Sequence, residues 1–296
     1  MTQTAQPRMP MPQVRAFLDD SSETFSYVVY DRQGGQAMII DPVLGFDPAS
    51  GRTNTELAQR QVDFVRAQQL TVPWILETHA HADHLSAASF LRKQLNARIG
   101  IGEQITRVQG VFREIFALEP EFMSDGSQFD GLFADGDTFS VGQLQIRVLH
   151  SPGHTPADVA YLVNEQALFV GDTLFMPDKG TARCDFPGGS SQQLYRSIRR
   201  LLALPPETAI YVCHDYPNED RDYECRTTVA RQRAENIHVH DGIDEASFVA
   251  MRDKRDATLG MPRLILPSIQ VNIRAGDMPP ADAQGKVFLK LPINAL

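Results

Sequence analysis

The run Ile75-Leu76-Glu77-Thr78-His79-Ala80-His81-Ala82-Asp83-His84 decides the fold. TVPWILETH (71–79) reads as a buried strand because its apolar run is short. It delivers three of the eight histidines and an aspartate into residues 79–84. Imidazoles and carboxylates gathered where a loop leaves a sheet edge suit zinc, iron or manganese, since a short loop braced by a strand holds its rings in one orientation. A solvated polar loop with incidental histidines is the bland alternative, and the crowding of the commonest metal ligand argues against it.

Outward from this loop, three more candidates stand directly after apolar runs. They are His154 in LHSPGHT (149–155), Asp172 in LFVGDT (168–173) and His214 in IYVCHD (210–215). Each alone has an ordinary reading, as a satisfied loop histidine or a turn aspartate. Together they imply one site, because strand ends of one sheet converge at a single rim.

The flanking pattern supplies that sheet. FSYVVYD (25–31) and AMIIDPV (37–43) form a hairpin around Gly34 and Gly35. Helical spacing from Glu56 to Leu70, then LSAASFLRKQLN, the strand ARIGIG and a helix at 105–116 make two βα units. From Phe139 to Val170 the texture is alternating strand. Ser190 with Gln193 has capping-box spacing and opens a helix that Pro205 and Pro206 stop, before a last strand AIYVCHD. Helices are expected at 224–236 and 244–259, and the tail LPSIQVNIRAG as an added strand or a surface wrap. This order suits two packed sheets with helices outside. We expect a catalytic domain over 1–240, with 241–296 as a C-terminal helix and tail packed on the same domain.

Composition narrows the function. The 296 residues carry a formal charge of −9, which argues against a nucleic-acid binder, since that needs clustered Lys and Arg on phosphates. Cys184, Cys213 and Cys225 form no CxxC pair, so neither a disulfide framework nor a thiolate zinc site is indicated. The N-terminal stretch lacks a long apolar leader core and no later run approaches the length of a membrane span, so a cytoplasmic protein is expected.

HxHxDH followed by separate His, Asp and His motifs resembles the signature of the metallo-β-lactamase superfamily, over about Phe25 to Tyr216. The resemblance implies an α/β fold, the αββα sandwich of two mixed sheets, with Asp41 of Asp41-Pro42 supporting the metal loop. Within it, THAHADHLSAA, SPGHTPADVAYLV, GDTLF, TARCDFPGGS and LPSIQVNIRAG look like the persulfide (sulfur) dioxygenases. That resemblance implies one ferrous iron, Fe(2+), per chain on His79, His154 and Asp172, with glutathione persulfide and O2 as substrates and a possible homodimer. His81, Asp83, His84 and His214 would then surround it or form a second metal site. Where many relatives carry Gly-Cys-Gly-Arg-Thr-Asp-Phe, this chain has TARCDF: Arg183 and Asp185 keep their places while the cysteine has shifted. Arg183 is the candidate clamp for a glutathione carboxylate, since a guanidinium offers a bidentate fork. Tyr195, Tyr216, Arg221 and Arg226 are further candidate contacts. Cys213, in an apolar strand, reads as a buried small hydrophobe.

Two rivals remain. A glyoxalase II-like binuclear zinc hydrolase of glutathione thioesters would use the same ligand types with Asp172 bridging, but would carry a dedicated helical glutathione-binding domain in place of LPSIQVNIRAG. A non-catalytic metal-binding or sulfur-sensing module is disfavoured by the intact ligand set.

Overall fold

Burial with a period of two along the strands creates the layers of the molecule. In the computed structural model, which describes residues 9–295, the first eight residues of the N-terminal stretch lie outside the described residues. The first half runs β1 (Gln13–Asp19), β2 (Thr24–Tyr30), β3 (Gln36–Ile40), β4 (Val43–Asp47), β5 (Arg52–Asn54) and α1 (Glu56–Ala67). It continues through β6 (Thr71–Leu76), β7 (Leu85–Ser86), α2 (Ala88–Leu95), β8 (Arg98–Gly102), α3 (Ile105–Ile115) and β9 (Gly131–Phe133). The second half has β10 (Thr138–Val141), β11 (Leu144–His150), β12 (Val159–Val163), β13 (Ala167–Phe169), α4 (Ser191–Leu201) and β14 (Ala209–Tyr211). It ends with β15 (Arg226–Thr228), α5 (Val229–Glu235), α6 (Glu245–Asp256) and α7 (Ile265–Asn272).

One sheet has the order β1-β2-β3-β6-β8-β9 and the other β10-β11-β12-β13-β14-β15, while β5-β4-β7 forms a small third sheet. On β2, β3 and β6, Tyr27, Val29, Met38, Ile40, Trp74 and Leu76 turn toward the second sheet and meet Val148, Tyr161 and Phe169 there. Their neighbours Val28, Ile39 and Ile75 turn the other way, onto Val62, Leu91 and Phe112 of the first helical layer. On the far side, Leu162, Leu168 and Ile210 pack on Leu194 and Ile198 of α4 and Phe248 of α6. The result is the expected sandwich, helices, sheet, sheet, helices.

Side chains and backbone stitch the two sheets together at the rim the motifs share. Phe25 N donates to Cys213 O (2.7 Å), and the Tyr27 hydroxyl donates to Val212 O. In return, Val159 N donates to Thr78 O (2.9 Å) and the Tyr161 hydroxyl to Glu77 O (2.8 Å). The loops that follow β6 and β14 are therefore anchored by the opposite sheet.

Ser190 caps α4 by accepting from Gln193 N, as its spacing predicts, and Asp244 caps α6 by accepting from Ser247 N. Three elements differ from expectation. β1 was hidden in the polar start, because QVRAFLD is half exposed and takes its stability from pairing with β2. The expected helix at 224–236 begins instead as β15, and Thr228 then caps the shorter α5. The tail forms α7, whose Ile269 and Val271 are fully buried, so tertiary packing overrides the strand preference of its β-branched residues. Among the described residues no helix is long and apolar enough to cross a membrane.

The second helical layer carries a buried histidine. His238 accepts from Thr181 N (3.1 Å), and burial, with Arg252 and Arg255 nearby, lowers its pKa to about 4. Its folded pKa thus lies below the unfolded value of about 6.5, so acidification charges the unfolded chain first and stability falls as pH drops through that window. In urea titrations of chelator-treated protein, His238→Asn, which keeps an acceptor, should remove about 2 kcal/mol of the loss between about pH 7 and about pH 4.5. An unchanged loss in the variant contradicts this assignment.

Candidate metal centre

His79 follows β6, His154 follows β11, Asp172 follows β13 and His214 follows β14, all at the stitched rim. His79 Nε2 is 3.8 Å and His154 Nε2 3.5 Å from Asp172 Oδ2. Asp172 Oδ1 faces His214 Nε2 at 3.3 Å, and the same nitrogen lies 3.4 Å from Asp83 Oδ2. The ligand atoms of His79, His154 and Asp172 lie within 4.8 Å of one another, as do those of Asp83, Asp172 and His214. The convergence expected from the strand ends is what the fold delivers.

Each ring is oriented from behind. Thr78 donates its N–H (2.7 Å) and its hydroxyl (2.9 Å) to the two oxygens of Asp41, leaving the Thr78 oxygen to accept from His79 Nδ1 (3.0 Å). His154 Nδ1 donates to Arg183 O (2.8 Å), and His214 Nδ1 to Glu23 O (3.2 Å). With Nδ1 protonated, a neutral ring turns its Nε2 lone pair into the space beside the shared carboxylate, where a cation would accept it. Asp41 therefore supports the loop through Thr78. Gly171, at φ +53°, allows this approach, since a Cβ there would stand 2.5 Å from Thr78 Oγ1.

Burial keeps two of the rings ready for a cation. Burial, then the neighbouring His81, holds His79 well below its usual pKa, and burial likewise depresses His81, so both are neutral ligands near neutrality. Burial works to lower His214, but the Asp172 and Asp83 carboxylates outweigh it and hold the ring above its usual value. His79 Nε2 and Asp172 Oδ1 are buried with no hydrogen-bond partner. Such atoms are costly when orphaned, and a metal ion between them satisfies both. The donor set fits a divalent metal.

The His81 ring lies against His79, with centroids 3.9 Å apart, but its Nε2 is directed at a different pair of carboxylates. Its Nε2 lies 3.0 Å from Asp41 Oδ1 and 3.7 Å from Glu77 Oε2, and it groups with Asp83 and His84. His84 Nδ1 lies 3.1 Å from Asp83 Oδ2, which places the remaining motif residues on the His214 side.

The tail contributes a residue that the sequence reading missed. Asn272 Nδ2 on α7 donates to His81 O and His84 O (both 2.8 Å), while its Oδ1 accepts from Ser86 N (2.7 Å). One buried amide thus ties both ends of the loop. The spacing gave no signal, because the contact joins positions 186 to 191 residues apart.

Beside the cluster opens a cavity of about 480 Å³, lined among others by Asp83, His154, Asp172, His214, Phe175 and Tyr216. Tyr216 stacks on His214 with ring centroids 5.7 Å apart, so this expected contact residue borders the site. Arg183 also lines the cavity, but its fork is already spent on both Asp185 oxygens, and its Nη1 donates to Gly260 O (2.7 Å). It is a loop fastener, whose carbonyl also aims His154. Tyr195 and Arg226 are not brought to the cavity: the Tyr195 hydroxyl donates to Ile243 O (2.8 Å) beneath α6, and Arg226 lies over the Tyr211 ring on β15. Arg221 is held by Asp215 and Asp178. Cys213 is buried as expected.

Asn272→Ala leaves two loop carbonyls and one amide unpaired, so metal retention against a chelator should fall about 10- to 100-fold while the far-ultraviolet spectrum is unchanged. Equal retention in the two proteins would deny the amide this role.

Comparison with known proteins agrees with the geometry. The chain is 51% identical over 292 residues to a probable metallo-hydrolase of Burkholderia pseudomallei, covering 96% of this chain and 99% of the relative. It is 47% identical to a Dictyostelium discoideum protein named glyoxylase B2 (96% and 97% covered) and 30% identical to the mitochondrial persulfide dioxygenase ETHE1 of Bos taurus (90% of each). Among solved structures, ETHE1 of Myxococcus xanthus superimposes with a TM-score of 0.71 at 29% identity, over 90% of this chain and all of that one. Residues 21–214 match the family described as the metallo-beta-lactamase superfamily, and with the strand-end cluster in place the chain belongs to that superfamily.

Proposed function

We propose that the protein is a glutathione persulfide dioxygenase working with one ferrous ion held by His79, His154 and Asp172. The observation that carries this reading is the composition of the group around His79: two imidazoles and one carboxylate mutually within 4.8 Å, with His81 turned instead to Asp41 and Glu77. Two histidines and a carboxylate on one face suit non-haem Fe(II) oxygenases, since three neighbouring positions stay open. The similarity to the Bos taurus persulfide dioxygenase supports the same activity.

When bound, ferrous iron would supply the positions at which the persulfide sulfur and dioxygen meet. The residues of the chain do the rest. Thr78, the Arg183 carbonyl and the Glu23 carbonyl hold three rings with their lone pairs inward. Phe175 and Leu259 give the cavity apolar wall, and Tyr216 borders it beside His214. Raising the terminal sulfur to sulfite releases four electrons and dioxygen accepts four, while water supplies the third oxygen and glutathione leaves as the thiol. No external reductant is needed.

A second reading is favoured by one observation. Asp172 faces His79 and His154 with one oxygen and His214 with the other, the bridge that a binuclear hydrolase of glutathione thioesters would use. The relative named glyoxylase B2 fits that reading.

Protein purified without added metal should contain about one iron per chain and consume oxygen with glutathione persulfide, and Asp172→Ala should lose both, with turnover down by about 10³ or more. Two zinc ions per chain with hydrolysis of a glutathione thioester would establish the second reading instead.

A further inference from the structure

The chain is acidic overall, yet the cavity beside the metal cluster is walled by four cations, Lys179, Arg183, Arg252 and Arg255. Three are already matched within the fold. Arg183 grips Asp185 and Gly260 O, Arg252 pairs with Asp256 and donates to Thr181 O, and Lys179 donates to Asn218 Oδ1 (2.9 Å) beside Asp178. The guanidinium of Arg255 has no hydrogen bond or ion pair among the described residues.

A basic residue in the last turn of α6 has an ordinary explanation, the partial negative charge of a helix carboxyl end. Lys254 already serves that turn without lining the cavity, so the dipole does not account for Arg255 facing it. The cavity volume of about 480 Å³ suits a small organic molecule, and its apolar wall includes Phe175, Leu259 and Pro262. Resting on the reading that a small thiol derivative is the substrate, we propose that Arg255 is the anchor for a substrate carboxylate, so that the enzyme selects anionic, carboxylate-bearing thiol persulfides. A guanidinium holds a carboxylate through two parallel hydrogen bonds, which a neutral thiol derivative does not offer. In this role Arg255 replaces Arg183, whose fork is closed by Asp185.

Arg255 is exposed and unpaired, so Arg255→Gln should fold normally. Calorimetric titration of the metal-loaded protein with glutathione, and with its glycyl ethyl ester, reads the contact without turnover. Arg255→Gln should bind glutathione at least about tenfold more weakly than the wild type; weakened binding of the ester to the wild type assigns the contact to the glycyl carboxylate, and undiminished binding assigns it to the γ-glutamyl carboxylate. In steady-state oxygen uptake, Arg255→Gln should raise KM for glutathione persulfide at least about tenfold with kcat within about twofold, while a neutral alkyl persulfide is handled equally by both proteins. Lys254→Gln, in the same turn of α6 but outside the cavity lining, should not reproduce that split. Equal glutathione affinity and equal KM in wild type and Arg255→Gln overturn the proposal even if persulfide is oxidised. Absence of persulfide oxidation with Arg255-dependent glutathione binding overturns the dioxygenase reading and leaves the anchor standing.

Discussion

The carboxylate of Asp172 is the contact on which the site depends. One of its oxygens faces His79 and His154, the other faces His214, and these residues follow four different strands. Without a cation the arrangement is poorly satisfied, since His79 Nε2 and Asp172 Oδ1 are buried and unpartnered. A fold keeps such atoms only where surrounding structure over-determines them. Here that structure is the reciprocal stitching of the sheets and the ring-orienting bonds from Thr78, Arg183 and Glu23. The same burial that makes the orphans costly keeps His79 and His81 neutral, which a ligand requires.

From that constraint the division of the motif follows. His79 joins the first group, whereas Asp83 and His84 lie toward His214, and His81 is drawn back to Asp41 and Glu77. The loop can hold this shape because Asn272 fastens both of its ends from the carboxyl-terminal helix. Residues beyond the family match at 21–214 thus take part in shaping the metal centre.

Much of this was legible in the amino-acid order. Strand ends could be placed because short apolar runs stop at His79, Asp172 and His214, and the layer order followed from where helical and alternating periods change. What stayed hidden were facts about partners. IQVNI alternates like a strand, yet it packs as a helix into the core of the first helical layer and against β7. Arg183 has the chemistry of a carboxylate clamp, but Asp185, two residues on, takes its fork, and only the fold shows that Arg255 is left unpaired. Tyr195 and Arg226 sit near the motifs in sequence while Ile243 and Tyr211 engage them elsewhere. Local sequence encodes period and residue type, and says little about which of several chemically able side chains is free.

Anomalous diffraction from crystals of the protein as isolated, collected at the iron and zinc edges, tests the central claim most directly. The account predicts a single iron peak within bonding reach of His79 Nε2, His154 Nε2 and an Asp172 oxygen, with none between Asp83 and His214. Two zinc peaks bridged by Asp172 in active protein, or a single metal bound through His81, would contradict it.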